Sequence, residues 1–147
     1  MKDFKSILFA TDFSESSDHA FDYAFTVAKK FNARLIVLHI INELADLRGF
    51  YVPHISIDKL EEEMAESAGN MMDKFIKMHT KGYDRVESLV VPGIPYDEIL
   101  KKAEEESVDM IVLGTHGRTG LDHVLFGSTA EKVVRKSNVP VMTIRIR

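Results

Sequence analysis

The residues best suited to chemistry are glycines and hydroxyls gathered in one stretch. Gly114-Thr115-His116-Gly117-Arg118-Thr119-Gly120 leads through residues 121–126 to Gly127-Ser128-Thr129. The stretch begins where an apolar run ends and finishes where a helical pattern starts. Backbone N–H groups approach an anion closely where no side chain intervenes, and glycine also tolerates positive φ. A helix start adds unpaired N–H groups and a partial positive charge. Ser128 and Thr129 add hydroxyl donors. Such a stretch can cradle phosphate oxygens. The plainer reading is a chain turn whose serine caps a helix; the position at the end of a central strand favours the cradle.

Two familiar phosphate motifs are missing. No G-x-x-x-x-G-K-[ST] string occurs, which argues against a P-loop motor. Ala10-Thr11-Asp12-Phe13-Ser14, after the first apolar run, holds no glycine, so the dinucleotide fingerprint is absent as well. Asp12 can accept hydrogen bonds from a base or a ribose hydroxyl, and is poorly suited to phosphate without a metal. Its other reading is a helix-start cap beside Ser14, Ser16 and Ser17. His39 lies inside an apolar run and reads as a hydrogen-bonded core or rim histidine. His116 and His123 show no metal-ligand spacing and read as solvated loop residues. Arg118 is either a phosphate contact or a free surface arginine, and Asp122 has only a weak claim on a cation. The glutamates at 61–63 and 104–106 read as solvated helix faces. Met64, Met71, Met72 and Met78 largely follow a helix stripe and read as core.

Five strand-length apolar runs can position these groups: residues 6–10 (SILFA), 34–41 (RLIVLHII), 85–91 (RVESLVV), 109–113 (DMIVL) and 139–146 (VPVMTIRI). Nearly continuous Ile, Leu, Val, Met and Phe suits strands buried on both faces of a parallel sheet. Between them lie stripes of helical period. These are Ala20, Ala24, Val27, Ala28 and Phe31; Ile57, Leu60, Met64, Ala68, Met71, Met72 and Phe75; Tyr96, Ile99, Leu100 and Ala103; and Ala130, Val133 and Val134. The alternation predicts an α/β fold, a three-layer α/β/α sandwich with right-handed crossovers. Run three is the most polar and run five carries Pro140, so both belong at edges. The five-stranded parallel sheet then has the order 3-2-1-4-5, Rossmann-like, with its switch point between strands 1 and 4, where open α/β sheets bind ligands. Pro95 is expected to open the third helix. Ser128-Thr129-Ala130-Glu131 reads as a capping box. Residues 42–56 form the longest unpatterned stretch after a strand, a candidate functional loop.

The bulk numbers mainly exclude. A chain of 147 residues, 45% hydrophobic and 29% charged, is expected to be one domain spanning residues 1–147. A formal charge of −4, from 19 basic and 23 acidic residues, offers no field for wrapping nucleic acid. With 0 cysteines there is no disulfide, thiolate nucleophile or zinc finger. No apolar run approaches the ~20 residues of a membrane span. The opening Met1-Lys2-Asp3-Phe4-Lys5 is too acidic, and the run after it too short, for a signal peptide, so the expected location is the cytoplasm.

The spacing of Gly114, Gly117, Gly127 and Ser128, G-x-x-G followed by nine residues and then G-[S/T], resembles the nucleotide-binding signature of the universal stress protein family. The opening Ile7-Leu8-Phe9-Ala10-Thr11-Asp12-Phe13-Ser14 and the ending Val139-Pro140-Val141-Met142-Thr143-Ile144 are similar to that family's first and last strands. The resemblance covers essentially the whole chain. It implies an adenine nucleotide alpha hydrolase-like fold and the family's ATP-binding subclass. By that carry-over Asp12 and the backbone near Ile40 and Ile41 meet adenine and ribose. Gly114, Gly117, Gly127, Ser128 and Thr129 hold the phosphates of ATP or another adenine nucleotide, with Mg or Mn, and Thr11, Leu113 and Arg118 count among the binding residues. It also implies a homodimer through the last strand, between Val141 and Ile146, whose apolar edge is itself a reason to expect pairing.

No positioned base or water-activating residue is legible, so no catalytic residue is assigned. The expected role is a nucleotide-dependent stress-response or regulatory module acting through its dimer or partner surface. The alternative is a slow ATPase or adenylate-handling hydrolase using Asp12 and a cation. A receiver domain would need an acidic pair after strand 1 and an acceptor Asp after strand 3; the chain has Asp12 alone, then Pro92-Gly93.

Overall fold

The computed structural model describes residues 1–42, 56–116 and 126–146. Along the chain run β1 (Ser6–Ala10), α1 (Glu15–Phe31), β2 (Arg34–Asn42), α2 (Ile57–His79), β3 (Val86–Gly93), α3 (Pro95–Glu105), β4 (Met110–Gly114), α4 (Ser128–Lys136) and β5 (Val141–Ile144). The strands form one parallel sheet in the order β3-β2-β1-β4-β5, as the strand chemistry predicts. Side chains alternate across each strand. Ile7, Phe9, Leu35, Val37, Met110 and Val112 bury under α1 and α2. Leu8, Ile36, Leu38, Ile111 and Leu113 bury under α3 and α4. The three central strands are therefore apolar on both faces, which is why they read as unbroken runs.

The helix stripes need two corrections. Phe31, Met71, Met78 and Val134 are exposed rather than buried. Phe31 ends α1 and packs edge-on against Phe4 at 5.1 Å, at the margin of the sheet. Phe21 was missing from the stripe yet is fully buried, with its ring 5.2 Å from Phe9 and 5.0 Å from Phe75. A helix lying on a sheet buries a band wider than one ideal stripe at mid-length and narrower at its ends.

What matters for the site is how elements end. Ala10 pairs with Leu38 and with Leu113, so β1, β2 and β4 reach one carboxyl edge together. β2 runs on through Asn42, paired with β3 only. α2 has 23 residues, roughly 35 Å at 1.5 Å per residue. Its buried residues, Ala68, Met72 and Phe75, lie from its midpoint onward. The first turns of α2 stand beyond the sheet as a wall. Pro95 occupies the opening of α3, as expected. Pro140 precedes β5 instead of lying within it, and its carbonyl accepts from the Ile111 N–H at 3.0 Å.

Gly93, between β3 and α3, sits at φ +147°, and a Cβ built there would lie 2.5 Å from Glu98 Cγ. Both the backbone region and the contact require glycine. Gly93→Ala is expected to cost about 2 kcal/mol or more, from the size of such backbone strain. Chemical denaturation that finds the variant as stable as the parent would contradict this account.

Candidate functional site

The turn after β1 is built by its own side chains. Thr11 Oγ1 accepts from the Phe13 N–H at 3.0 Å and from the Ser17 hydroxyl at 2.8 Å. Asp12 Oδ1 accepts from the Ser14 N–H at 3.0 Å. Ser14 then caps α1, its hydroxyl accepting from the Ser17 N–H at 3.2 Å. The helix cap that Asp12 could have provided is therefore Ser14's, and Asp12 shapes the turn before it. Phe13 adopts φ 62°. For a bulky L-residue the left-handed region costs roughly 1–2 kcal/mol, so neighbours must hold it there. Its ring lies 4.3 Å from the His39 ring. His39 Nδ1 bonds the Thr11 carbonyl at 2.8 Å, the hydrogen-bonded rim histidine that the sequence suggests.

Across the switch point, Gly114 lets α1 approach closely. A Cβ there would meet Ser16 Oγ at 3.1 Å and the Ser16 carbonyl oxygen at 3.3 Å. The Thr115 N–H donates to the Ile144 carbonyl at 2.9 Å, and the Gly127 N–H donates to the Thr115 carbonyl. The two ends of the glycine stretch are thus clamped together over β4 and β5. The capping box is not formed. Gly127 is the N-cap of α4, with no side-chain cap, and Ser128 is the first helical residue. The Glu131 N–H bonds the Gly127 carbonyl at 3.0 Å, while the Glu131 carboxylate pairs with Arg135 at 2.9 Å. The i,i+4 ion pair takes the side chain that the box required. The Ser128 hydroxyl is not spent on its helix.

Thr11, Asp12, Ile40, Ile41, Leu113, Gly114, Gly127, Ser128 and Thr129 all line one cleft of about 670 Å³. Gly117 and Arg118 lie outside the described residues, as do Asp122, His123 and most of the stretch at 42–56. The volume falls in the usual ~300–1,000 Å³ range of small-molecule sites. The cleft straddles the carboxyl edge of the sheet. On the α3 and α4 side it is floored by Ala10, Ile40, Leu113 and Ile99, with Gly127, Ser128 and Thr129 at its rim. On the other side stand Phe13, His39 and α2, through Leu60, Met64 and Met71. The chemistry divides accordingly into hydroxyls and glycine backbone at the α4 rim, the Asp12 carboxylate at the end of β1, and a mainly apolar α2 wall that also carries Glu63 and Ser67.

A family model for universal stress proteins matches residues 3–145. This chain belongs to the universal stress protein family. The universal stress protein MJ0577 of Methanocaldococcus jannaschii is 36% identical over 157 aligned positions, spanning 97% of this chain and 95% of that one. The solved structure of MJ0577 superposes with a TM-score of 0.83, at 35% identity, covering 97% and 96% of the two chains. The universal stress protein UspA of Lactobacillus plantarum superposes with a TM-score of 0.84, at 26% identity, covering 99% and 100%. A universal stress protein from Archaeoglobus fulgidus, solved in complex with dAMP, shares the fold at 20% identity and a TM-score of 0.67, covering 97% and 99%.

Several cleft residues of this universal stress protein escape sequence reading. Leu60, Met64 and Met71 look like core stripe, and their wall is visible only once α2 is seen to outrun the sheet. Phe13 and Thr115 carried no signal of their own. Asp18, in the first turn of α1, has its carboxyl pushed above the usual range by burial, with His79 opposing and Asp12 adding to the rise. No cluster of three metal-ligating side chains occurs among the described residues. The cleft's acidic side chains, Asp12 and Glu63, stand on different elements with hydroxyls nearby, and such a set does not make a protein cage for a cation.

Proposed function

We propose that this universal stress protein binds ATP or another adenine nucleotide in the switch-point cleft and works as a nucleotide-dependent stress-response or regulatory module. The carrying observation is that Ser128, Gly127 and Gly114 face one cleft with Asp12, and that the Ser128 hydroxyl is not used as a helix cap. On this reading Gly114, Gly127, Ser128 and Thr129 hold the phosphates, together with Gly117 and Arg118. Asp12 and the backbone of Ile40 and Ile41 meet ribose and adenine, with Thr11 and Leu113 beneath. Mg or Mn comes with the polyphosphate, with Asp12 as the acidic group of the strand-end turn that can face it. The dAMP complex of the Archaeoglobus relative is a ligand of the same class.

The output on this reading is an altered surface on a homodimer joined through β5, in the cytoplasm, without nucleic acid. No helix among the described residues is long and apolar enough to cross a membrane. Freshly purified protein is expected to release an adenine nucleotide on denaturation, identified by mass spectrometry, and the stripped protein to rebind ATP in a calorimeter. Absence of both would end the reading. Phosphate release is expected to stay well below ~1 per second, the low end of ordinary enzymes. A faster, nucleotide-dependent rate would favour a hydrolase using Asp12 and a cation instead.

A further inference from the structure

We infer that His39 is a positioning residue for the nucleotide: it occupies the Thr11 carbonyl and so keeps the Ile40 N–H directed at the cleft. The inference rests on the reading that adenine meets the backbone at Ile40. The ladder between β1 and β2 ends with the Thr11 N–H donating to the Leu38 carbonyl at 2.9 Å. On β2, Arg34 N–H donates toward β1, to Lys5, and Leu35 N–H donates toward β3, to Arg85. Backbone groups of a parallel strand alternate sides, so even-numbered residues of β2 face β1. One step past Leu38, a continued parallel ladder would pair the Ile40 N–H with the Thr11 carbonyl. That carbonyl instead accepts from His39 Nδ1 at 2.8 Å. A carbonyl oxygen can only accept, so Nδ1 carries the hydrogen.

The same imidazole supports the neighbouring turn. Its ring lies 4.3 Å from the Phe13 ring, planes 32° apart, where Phe13 holds its left-handed backbone. Phe13 follows Asp12 directly, and Asp12 Oδ1 is tied to the Ser14 N–H. One side chain from β2 thereby bears on two groups of the same cleft: a backbone donor at Ile40, suited to a ring nitrogen acceptor of a purine, and, through Phe13, the turn that carries the Asp12 carboxylate.

The test compares three replacements in the full chain. His39→Asn puts an amide N–H near the place of Nδ1, His39→Gln carries its amide one carbon further out, and His39→Leu offers no donor. Leu and Gln are expected to weaken ATP binding about tenfold, the scale of one hydrogen bond, and Asn to stay within about threefold of the parent. Amide hydrogen exchange by NMR on the nucleotide-free protein supplies a readout that needs no ligand. The Ile40 N–H is expected to exchange quickly in the parent and in His39→Asn. In His39→Leu it is expected to slow as it recaptures the Thr11 carbonyl. Equal losses for Asn and Leu, or unchanged Ile40 exchange in His39→Leu, would overturn the assignment. If the parent protein binds no adenine nucleotide, the proposed function fails, and the exchange measurement still decides whether His39 keeps the ladder open.

Discussion

Replacing Gly127 by valine together with Ser128 by alanine is expected to abolish nucleotide binding while the fold survives. Gly127 sits at φ −67° and ψ 156°, a region open to every L-residue, so valine meets no backbone strain. Its N–H and carbonyl bonds, to Thr115 and from Glu131, are main-chain bonds that valine keeps. Ser128 makes no cap, so alanine removes a hydroxyl the helix does not use. Valine is a poorer N-cap than glycine, so stability is expected to fall by about 1 kcal/mol, which leaves the fold intact. At the cleft the pair adds a branched side chain where close backbone approach is needed and deletes a donor. A hydrogen bond to a charged group is worth about 1.5–3 kcal/mol, so losing the Ser128 donor predicts an affinity loss of roughly 10- to 150-fold, and the valine side chain adds to it. Calorimetry with ATP beside a thermal melt reads both quantities, and unchanged affinity would sink the site. Gly114→Val would be a poorer probe, because its Cβ would press on Ser16 at 3.1 Å and confuse binding with folding.

The contrast between these glycines marks what a sequence makes legible. The strand order could be read because physical chemistry separates edge from centre. Three runs are apolar on both faces, one mixes Glu87 and Ser88 among its valines, and one follows Pro140. The rim of the cleft could be read because G-x-x-G and G-S spacing has few other uses. The α2 wall could not, since a methionine facing a ligand cleft and a methionine facing a sheet have the same helical period. Only the reach of the stripe, from Ile57 to Phe75, hinted that the helix outruns strands of four to nine residues. The capping box failed for a related reason. S-x-x-E describes residue types, while the outcome turned on Arg135 competing for Glu131 and on Gly127 taking the cap position. His39 illustrates the deepest limit. Its type and its apolar surroundings suggest a satisfied rim histidine, which it is. That the acceptor it satisfies would otherwise close the β1–β2 ladder is a fact of register, and register appears only when the strands are paired.

Register also sharpens the prediction about assembly: Thr143→Pro is expected to weaken the proposed homodimer at least tenfold, with the protomer intact. The Ile111 N–H donates to the Pro140 carbonyl and the Thr115 N–H to the Ile144 carbonyl. In a parallel pair these bonds are evenly spaced, so the inward-facing backbone of β5 belongs to even-numbered residues. Val141 and Thr143 turn their N–H groups to the open edge. Proline at 143 thus deletes an edge donor without breaking a bond to β4, the one kind of strand position where proline is tolerated. The preceding Met142 is already extended, as proline requires of its neighbour. Truncation after Met142 would remove more of the edge, but it also removes the Ile144 carbonyl that anchors Thr115, and with it one foot of the glycine stretch. The substitution separates the two effects. Sedimentation across a concentration series should show a dimer for the parent and a shift toward monomer for Thr143→Pro, while ATP affinity stays within about threefold because the Thr115 anchor remains. A variant that dimerises like the parent would move the interface off β5. A variant that loses dimer and nucleotide together would instead make the edge strand and the phosphate rim one cooperative unit, joined through the single bond between Ile144 and Thr115.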